Sequence, residues 1–136
     1  GIAVAFPRDA PPLAGRPGLR RLHALARYMR GFDLVLTYNW GAFDAVMARR
    51  LFGRALKLPP LVHHEDGFNE DEAARLKPVR NLYRRVGLPA ARALVVPSQR
   101  LERIARDVWR QPPQRLVRIA NGIPVARFGG PGAVPG

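Results

Sequence analysis

Five short apolar runs, most of them rich in β-branched residues, alternate along this chain with longer stretches of helical periodicity. A run of this length predicts a buried strand, and strands separated by helices predict parallel pairing through right-handed crossovers. The sequence therefore predicts an α/β fold, a doubly wound, Rossmann-like parallel sheet of about five strands with helices on both faces. The predicted strands are Ile2 to Phe6, Asp33 to Tyr38, Pro60 to His64, Ala93 to Pro97 and Leu116 to Ala120.

The stretches between these strands place apolar residues on one face of a helix. Gly53 and Gly87 stand where helices should end, since glycine most easily adopts the left-handed conformation that closes a last turn. Ser98 is predicted to cap the fourth helix, and Pro78 to kink the third or begin it. The predicted core stripes are Leu19, Leu22, Leu25 or Ala26 and Met29; Phe43, Val46, Met47 and Leu51; Leu76, Val79, Leu82 or Tyr83 and Val86; and Leu101, Ile104, Ala105, Val108 and Trp109.

A chain of 136 residues, 47% hydrophobic and 24% charged, fits one globular domain. The absence of cysteine excludes a disulfide framework and a thiolate metal site, and it allows a cytoplasmic location. No apolar run approaches the roughly 18 residues that span a bilayer, so we expect a soluble or membrane-surface protein. Because the chain begins with Gly1 and shows no signal-peptide pattern, we expect its N-terminus to be truncated.

The formal net charge of +13 is typical of proteins that bind polyanions. Two features weaken that interpretation. Only Lys57 and Lys77 are lysine, and a coding bias of a GC-rich genome explains so many arginines equally well. The basic residues are also spread over several predicted helices without an aromatic stacking strip. A basic nucleic-acid-binding or other polyanion-binding α/β module is therefore the alternative function. A basic surface equally suits an enzyme at an anionic membrane face.

In an open parallel sheet, ligands collect beyond the carboxyl ends of the strands. After the second predicted strand, Asn39, Trp40 and Gly41 place hydrogen-bonding groups and an aromatic plane before a helix N-terminus. That combination suits a sugar hydroxyl or a phosphate. The structural alternative is that Trp40 covers the core and Asn39 caps the helix.

After the third predicted strand comes a run that holds half of the acidic residues of the chain. Strand alternation points His63 and His64 to opposite sides, so at most one faces the cleft, and we choose His64. Glu65, Asp66 and Gly67 follow it. Adjacent histidines do not converge easily on one ion, so we expect no metal site. Acids at Glu70, Asp71 and Glu72 fit the first turn of a helix.

Beyond the fourth predicted strand, Ser98 and Arg100 could reach the cleft, although Ser98 fits better as a helix cap. The chain contains no G-x-S-x-G, P-loop, G-x-G-x-x-G or H-E-x-x-H pattern. A serine hydrolase, an NTPase, a dinucleotide enzyme and a zincin therefore have no motif support.

The ordered segments FDLVLTYNW, LVHHEDGF, ALVVPSQRLERIA and RIANGIPVARF resemble the N-terminal domain of family-4-like glycosyltransferases over about residues 33 to 128. The resemblance implies a two-domain enzyme that transfers a sugar with retention of its anomeric configuration. The N-terminal domain would hold a glycan or lipid-linked acceptor. A second domain would hold the nucleotide sugar, and no cofactor is implied.

The same resemblance assigns roles to single residues. His64 matches the cleft histidine near the transferred sugar, and Asn121 and Gly122 match the start of the interdomain connection, where Asn-Gly should also turn the chain sharply. It implies a domain over residues 1–128, partial at its start, and a Gly/Pro-rich tail over residues 129–136. We expect a cytoplasmic location at or near the inner membrane face, and we do not expect nucleic acid as a partner.

The sequence also departs from the family pattern. It contains no Glu-x7-Glu pair, the signature of the donor domain, and no glycine-rich loop after a first strand. Pro124 replaces the acid common after the Asn-Gly-Ile triplet. We therefore expect the 136-residue chain to be an inactive part of a glycosyltransferase.

Overall fold

The computed structural model describes residues 1–13, 18–67 and 77–122. Its centre is a sheet of four parallel strands that lie side by side in chain order. The predicted α/β, Rossmann-like fold is confirmed, with four strands rather than about five. The strands are β1 (Val35–Tyr38), β2 (Leu61–His64), β3 (Ala93–Val96) and β4 (Leu116–Arg118).

Helices precede β1 and connect the strands. The described helices are α1 (Leu19–Met29), α2 (Phe43–Phe52), α3 (Pro78–Gly87) and α4 (Gln99–Asp107). Pro78 is the first residue of α3, where its missing N–H costs nothing. None of the described helices is long and apolar enough to cross a bilayer.

The strand order explains why the two faces of the sheet differ. All connections step in one direction, and right-handed crossovers then put the connecting helices on the same face. The sequence predicts helices on both faces of the sheet. In the described part of the chain, helices cover one face only. We call the covered face, which carries Thr37, His63 and Leu94, the helix side. The opposite face, which carries Leu36, His64 and Val95, is the open side.

The predicted strand Ile2 to Phe6 is wrong, because these residues form no strand. Ile2 and Phe6 are 94% and 90% exposed. Without a neighbour to pair the backbone or cover the side chains, apolar alternation alone does not hold a strand.

Three of the predicted core stripes are largely confirmed. Their buried members are Leu22, Leu25, Ala26 and Met29 on α1, Phe43, Val46 and Met47 on α2, and Leu101, Ala105 and Trp109 in and just after α4. Leu19 and Leu51, at the ends of their stripes, are exposed.

The third stripe is wrong at most positions, although Tyr83, its alternative to Leu82, packs against the core. Val79 and Leu82 are 79% and 61% exposed, whereas Arg84 is buried. Leu76 lies outside the described residues, as do Glu70, Asp71 and Glu72. Arg84 on this helix points inward because it contacts the Glu65 carboxylate and the rings of Trp40 and Trp109.

Gly53 and Gly87 stand at the ends of α2 and α3 as predicted, but neither adopts the left-handed conformation, since φ is −56° and −79°. Gly87 is instead required by close packing. A Cβ atom at this position would lie 2.7 Å from a Phe43 ring carbon and 2.9 Å from the Met47 sulfur. The glycine thus lets α3 approach α2.

Candidate active site

The end of β2 sends consecutive side chains to opposite sides of the sheet, as strand alternation predicts. His63 is completely buried on the helix side, and its ring meets the edge of Phe43. His64 is half-buried on the open side, where its ring meets the edge of Tyr38 at 4.9 Å between centroids. His64 is therefore the histidine of this pair that a ligand can reach.

A cavity of about 500 Å³ lies on the open side, against His64. Its floor is the apolar sheet face of Leu36, Val62 and Val95, and its far wall is the chain that leaves β4, including Asn121. The His64 Nε2 atom is buried and has no hydrogen-bond partner among the described residues. A buried nitrogen without a partner is costly.

Asp66 joins the ends of three chain segments around this cavity. Tyr38 Oη donates a hydrogen bond to Asp66 Oδ2 at 2.5 Å, and Asn121 Nδ2 donates to Oδ1 at 3.1 Å. The Asp66 backbone N–H donates to Asn39 Oδ1 at 2.7 Å. The backbone N–H of Asn39 in turn donates to the His64 carbonyl at 2.7 Å. These bonds fix the segments that follow β1, β2 and β4.

The hydrogen bonds also set the charge state of the cluster. The hydrogen bond from Tyr38 lowers the pKa of Asp66, with smaller contributions from Asn121 and the nearby His64. The same bond to Asp66 raises the pKa of Tyr38. At neutral pH the cluster therefore holds an ionised carboxylate and a neutral phenol.

Glu65 points away from this cavity, so the prediction that it lines the cleft is not met by its side chain. Its carboxylate is fully buried on the helix side. Arg84 donates to Oε1 at 2.9 Å and to Oε2 at 3.3 Å. The physical reason is again alternation, which places Glu65 on the side of His63.

His63 completes the buried cluster. Its Nε2 lies 3.3 Å from Glu65 Oε2, and its Nδ1 lies 2.8 Å from Thr37 Oγ1. The tautomer with a proton on Nε2 satisfies both contacts, because it donates to Glu65 and accepts from the Thr37 hydroxyl.

Arg84 lies between two aromatic rings. Its guanidinium carbon is 5.0 Å from the centre of Trp40 and 4.9 Å from that of Trp109. The Trp109 Nε1 donates to Asn81 Oδ1 at 3.0 Å, which fixes the ring against α3. Nothing in the sequence distinguishes Arg84 from its exposed neighbour Arg85, so the sequence analysis missed it.

Trp40 and Gly41 lie on the helix side, in a second depression of about 440 Å³ with Tyr83 and Arg80. Trp40 stacks on Phe43 at 5.5 Å between ring centroids. Burial, followed by the nearby Asp44, raises the pKa of Tyr83 to about 12. The structure therefore separates Trp40 and Gly41 from the His64 cavity. The two residues follow β1 closely, and His64 ends the neighbouring strand β2.

The remaining predicted residues have mixed outcomes. Asn39 has a φ of 55° and caps no helix with its side chain. Asn121 and Gly122 line the His64 cavity and neither adopts a positive φ, while the residues that would complete the predicted sharp turn lie outside the described residues. The side chain of Asn121 donates a hydrogen bond to Asp66. Gly67 follows Asp66 with open space around it.

The first turn of α4 contributes no group to either depression. Ser98 Oγ accepts from the Leu101 N–H at 3.2 Å, which confirms it as the helix cap. Arg100 is exposed. Pro124 and the tail lie outside the described residues. Within those residues, no group of His, Asp and Glu side chains is placed to hold a metal ion.

A comparison with family models adds independent information. The model of Glycosyltransferase Family 4 matches residues 1–127, which is nearly the whole chain. The chain belongs to Glycosyltransferase Family 4. No curated protein matches it in a search for relatives. The family membership confirms the resemblance seen in the sequence. It implies that the substrates are a sugar donor and an acceptor, without identifying either of them.

Proposed function

We propose that this chain is the acceptor-side part of a retaining glycosyltransferase, which transfers a sugar from a nucleotide sugar to a glycan or lipid-linked acceptor. The observation that carries the proposal is His64, which lines a cavity of about 500 Å³ and whose buried Nε2 has no hydrogen-bond partner among the described residues. Family membership supplies the reaction class. His64 supplies a position for the reaction on this chain.

His64 would hydrogen-bond a hydroxyl of the transferred sugar. The surrounding bonds support this role, because they hold the His64 backbone and the loop that follows it before any ligand arrives. A polar group that is already oriented needs no reorganisation in the transition state. Asp66, Asn39 and Asn121 would then be positioning residues.

The depression around Trp40 would take part of the acceptor. The apolar lining of the depression suits the apolar side of a sugar, and Arg80, whose guanidinium lies over Trp40, suits an anionic group on the acceptor. Because Trp40 also stacks on Phe43, its ring is held in place. The enzyme would act in the cytoplasm, at the inner face of a membrane when its acceptor is lipid-linked.

Transfer would need groups beyond those of this sequence. The chain has no Glu-x7-Glu pair to hold a nucleotide sugar. A cleft enzyme must hold donor and acceptor together before proximity lowers the barrier. We therefore predict that the 136-residue chain alone releases no nucleoside diphosphate and binds nucleotide sugars feebly.

Two preparations test the proposal. The first is the 136-residue chain, titrated with nucleotide sugars by calorimetry and assayed for nucleoside diphosphate release. The second is the same chain joined to a family-4 donor domain. We expect turnover only in the second, with His64→Ala reducing it about a hundredfold. Tight binding or turnover by the first preparation would contradict the proposal, and so would full activity of the His64 variant in the second.

A further inference from the structure

The opposite end of the sheet carries a depression that the proposed transfer site does not use. It has a volume of about 900 Å³ and lies where the chain enters β2, β3 and β4. Arg49, Arg92 and Arg115 line it. An adjoining depression of about 230 Å³ shares Arg49 and adds Arg50 and Arg54. We call these five arginines the basic rim.

The basic rim has no acidic partner in either depression, since no Asp or Glu lines them. Four carboxylates in the described residues pair with arginines outside the basic rim. Asp44 pairs with Arg21, Glu65 with Arg84, Glu102 with Arg118, and Asp107 with Arg106. Among the described residues that line the two depressions, no carboxylate therefore compensates the positive charge of the basic rim.

Two members of the basic rim are held rigidly by backbone carbonyls. Arg49 donates to the carbonyls of Ala90 at 2.9 Å and Leu58 at 2.8 Å, and also to that of Pro59. Arg115 Nη1 donates to the Pro89 carbonyl at 2.7 Å. These bonds fix the guanidinium groups without neutralising them, so donors are oriented before a ligand arrives.

The other three members are exposed. Arg50, Arg54 and Arg92 have guanidinium groups without a hydrogen-bond partner within residues 1–13, 18–67 and 77–122. Their donors are therefore available to a ligand, beside the two guanidinium groups that backbone carbonyls fix. Guanidinium groups pair with phosphate oxygens two at a time, which makes phosphate the matching chemistry.

We propose that the basic rim binds a ligand carrying linked phosphate groups, a diphosphate at minimum. A single exposed pair of charges contributes little in water, so measurable affinity needs several contacts at once. The guanidinium groups line two adjoining depressions, so a ligand with two phosphates can contact more of them than one with a single phosphate. The site is separate from His64, which lies at the other end of β2.

Calorimetry with inorganic pyrophosphate and with inorganic phosphate tests the proposal on the 136-residue chain at low salt. Vesicles of phosphatidylglycerol and of phosphatidylcholine form a second arm, which distinguishes a free diphosphate from the phosphates of a lipid surface. The site variant carries Arg50→Gln, Arg54→Gln and Arg92→Gln. The matched control carries Arg20→Gln, Arg27→Gln and Arg103→Gln, which are exposed positions away from both depressions. Both variants lose three positive charges.

We expect saturable pyrophosphate binding that the site variant weakens tenfold or more and the control weakens less than threefold. Inorganic phosphate should bind at least tenfold more weakly than pyrophosphate. Binding to phosphatidylglycerol vesicles without pyrophosphate binding would overturn the proposal, because the phosphates of that lipid are not linked to one another. Equal losses in both variants would overturn the proposal, as would the absence of binding in both arms. If the site variant does not fold, Arg92→Gln alone replaces it, with an expected loss of about threefold against no change for Arg103→Gln.

Discussion

Glu65 and Asp66 are consecutive residues whose carboxylates lie on opposite sides of the sheet. Glu65 is fully buried on the helix side, where Arg84 neutralises it and His63 contacts it. Asp66 lies on the open side and is bonded by two neutral groups, Tyr38 and Asn121. One carboxylate has a cation as its partner, and the other keeps its net negative charge beside His64.

This difference separates stability from function within a few residues. On the helix side Glu65, Arg84 and His63 are bonded to one another, so a change there leaves a buried group unsatisfied and weakens the fold. On the open side the polar groups are oriented but His64 Nε2 has no described partner. A change there should cost the fold little and cost ligand binding more.

The largest expected effect on the fold is that of Arg84→Ala. It leaves the Glu65 carboxylate buried without a cation, which costs about 3–5 kcal/mol of unfolding free energy. Urea unfolding measures it, and Arg106→Ala is the control, since its exposed pair with Asp107 should leave the midpoint unchanged. Combining Arg84→Met with Glu65→Gln should recover part of the loss. A single variant as stable as the parent chain would contradict the account of the helix side.

A smaller effect is expected from glycine substitutions on the two sides. Gly87→Ala places a Cβ atom 2.7 Å from Phe43, and such overpacking should cost about 1–3 kcal/mol. Gly122→Ala has nothing within 4 Å and no positive φ, so its unfolding free energy should stay within about 0.5 kcal/mol. Thermal melts of both variants compare the two sides directly. Equal losses would show that both sides are packed alike.

The smallest effect concerns pH. The Tyr38 hydrogen bond lowers the pKa of Asp66. The ionised Asp66 carboxylate therefore stabilises the fold fully above the ordinary carboxyl pKa of about 3.9, and this stabilisation is lost as the pH falls through the lowered pKa. Tyr38→Phe should raise the pKa of Asp66 towards its ordinary range. An NMR titration of the Asp66 carboxyl measures this, with Tyr28→Phe as the control. An unchanged pKa in the Tyr38 variant would show that the bond has no effect.

Much of the fold could be predicted because it depends on local patterns. Short apolar runs gave four of the five predicted strands, and helical spacing gave the buried faces of α1, α2 and α4. The failures have a common cause in long-range contacts. The Ile2 to Phe6 run lacks a neighbour in the described structure, and α3 buries Arg84 because Glu65, Trp40 and Trp109 come from distant parts of the chain.

Only part of the candidate site could be predicted from the sequence. Alternation was enough to separate His63 from His64. It could not show that Asn121 reaches Asp66 across 55 positions of sequence, or that Trp40 lies in a separate depression from His64. The sequence places residues beyond the strand ends, whereas the sides they occupy depend on side-chain partners that lie far apart in the chain.

The central claim is that the two histidines at the end of β2 have opposite roles. The most direct test compares His63→Ala and His64→Ala in the chain joined to a donor domain, with turnover per folded molecule and unfolding free energy measured for each. We predict that His64→Ala lowers turnover about a hundredfold and changes stability by less than about 1.5 kcal/mol. His63→Ala should lower stability by about 2–4 kcal/mol and leave turnover within a few-fold. A His64 variant with unchanged turnover and a reduced unfolding free energy would contradict the account.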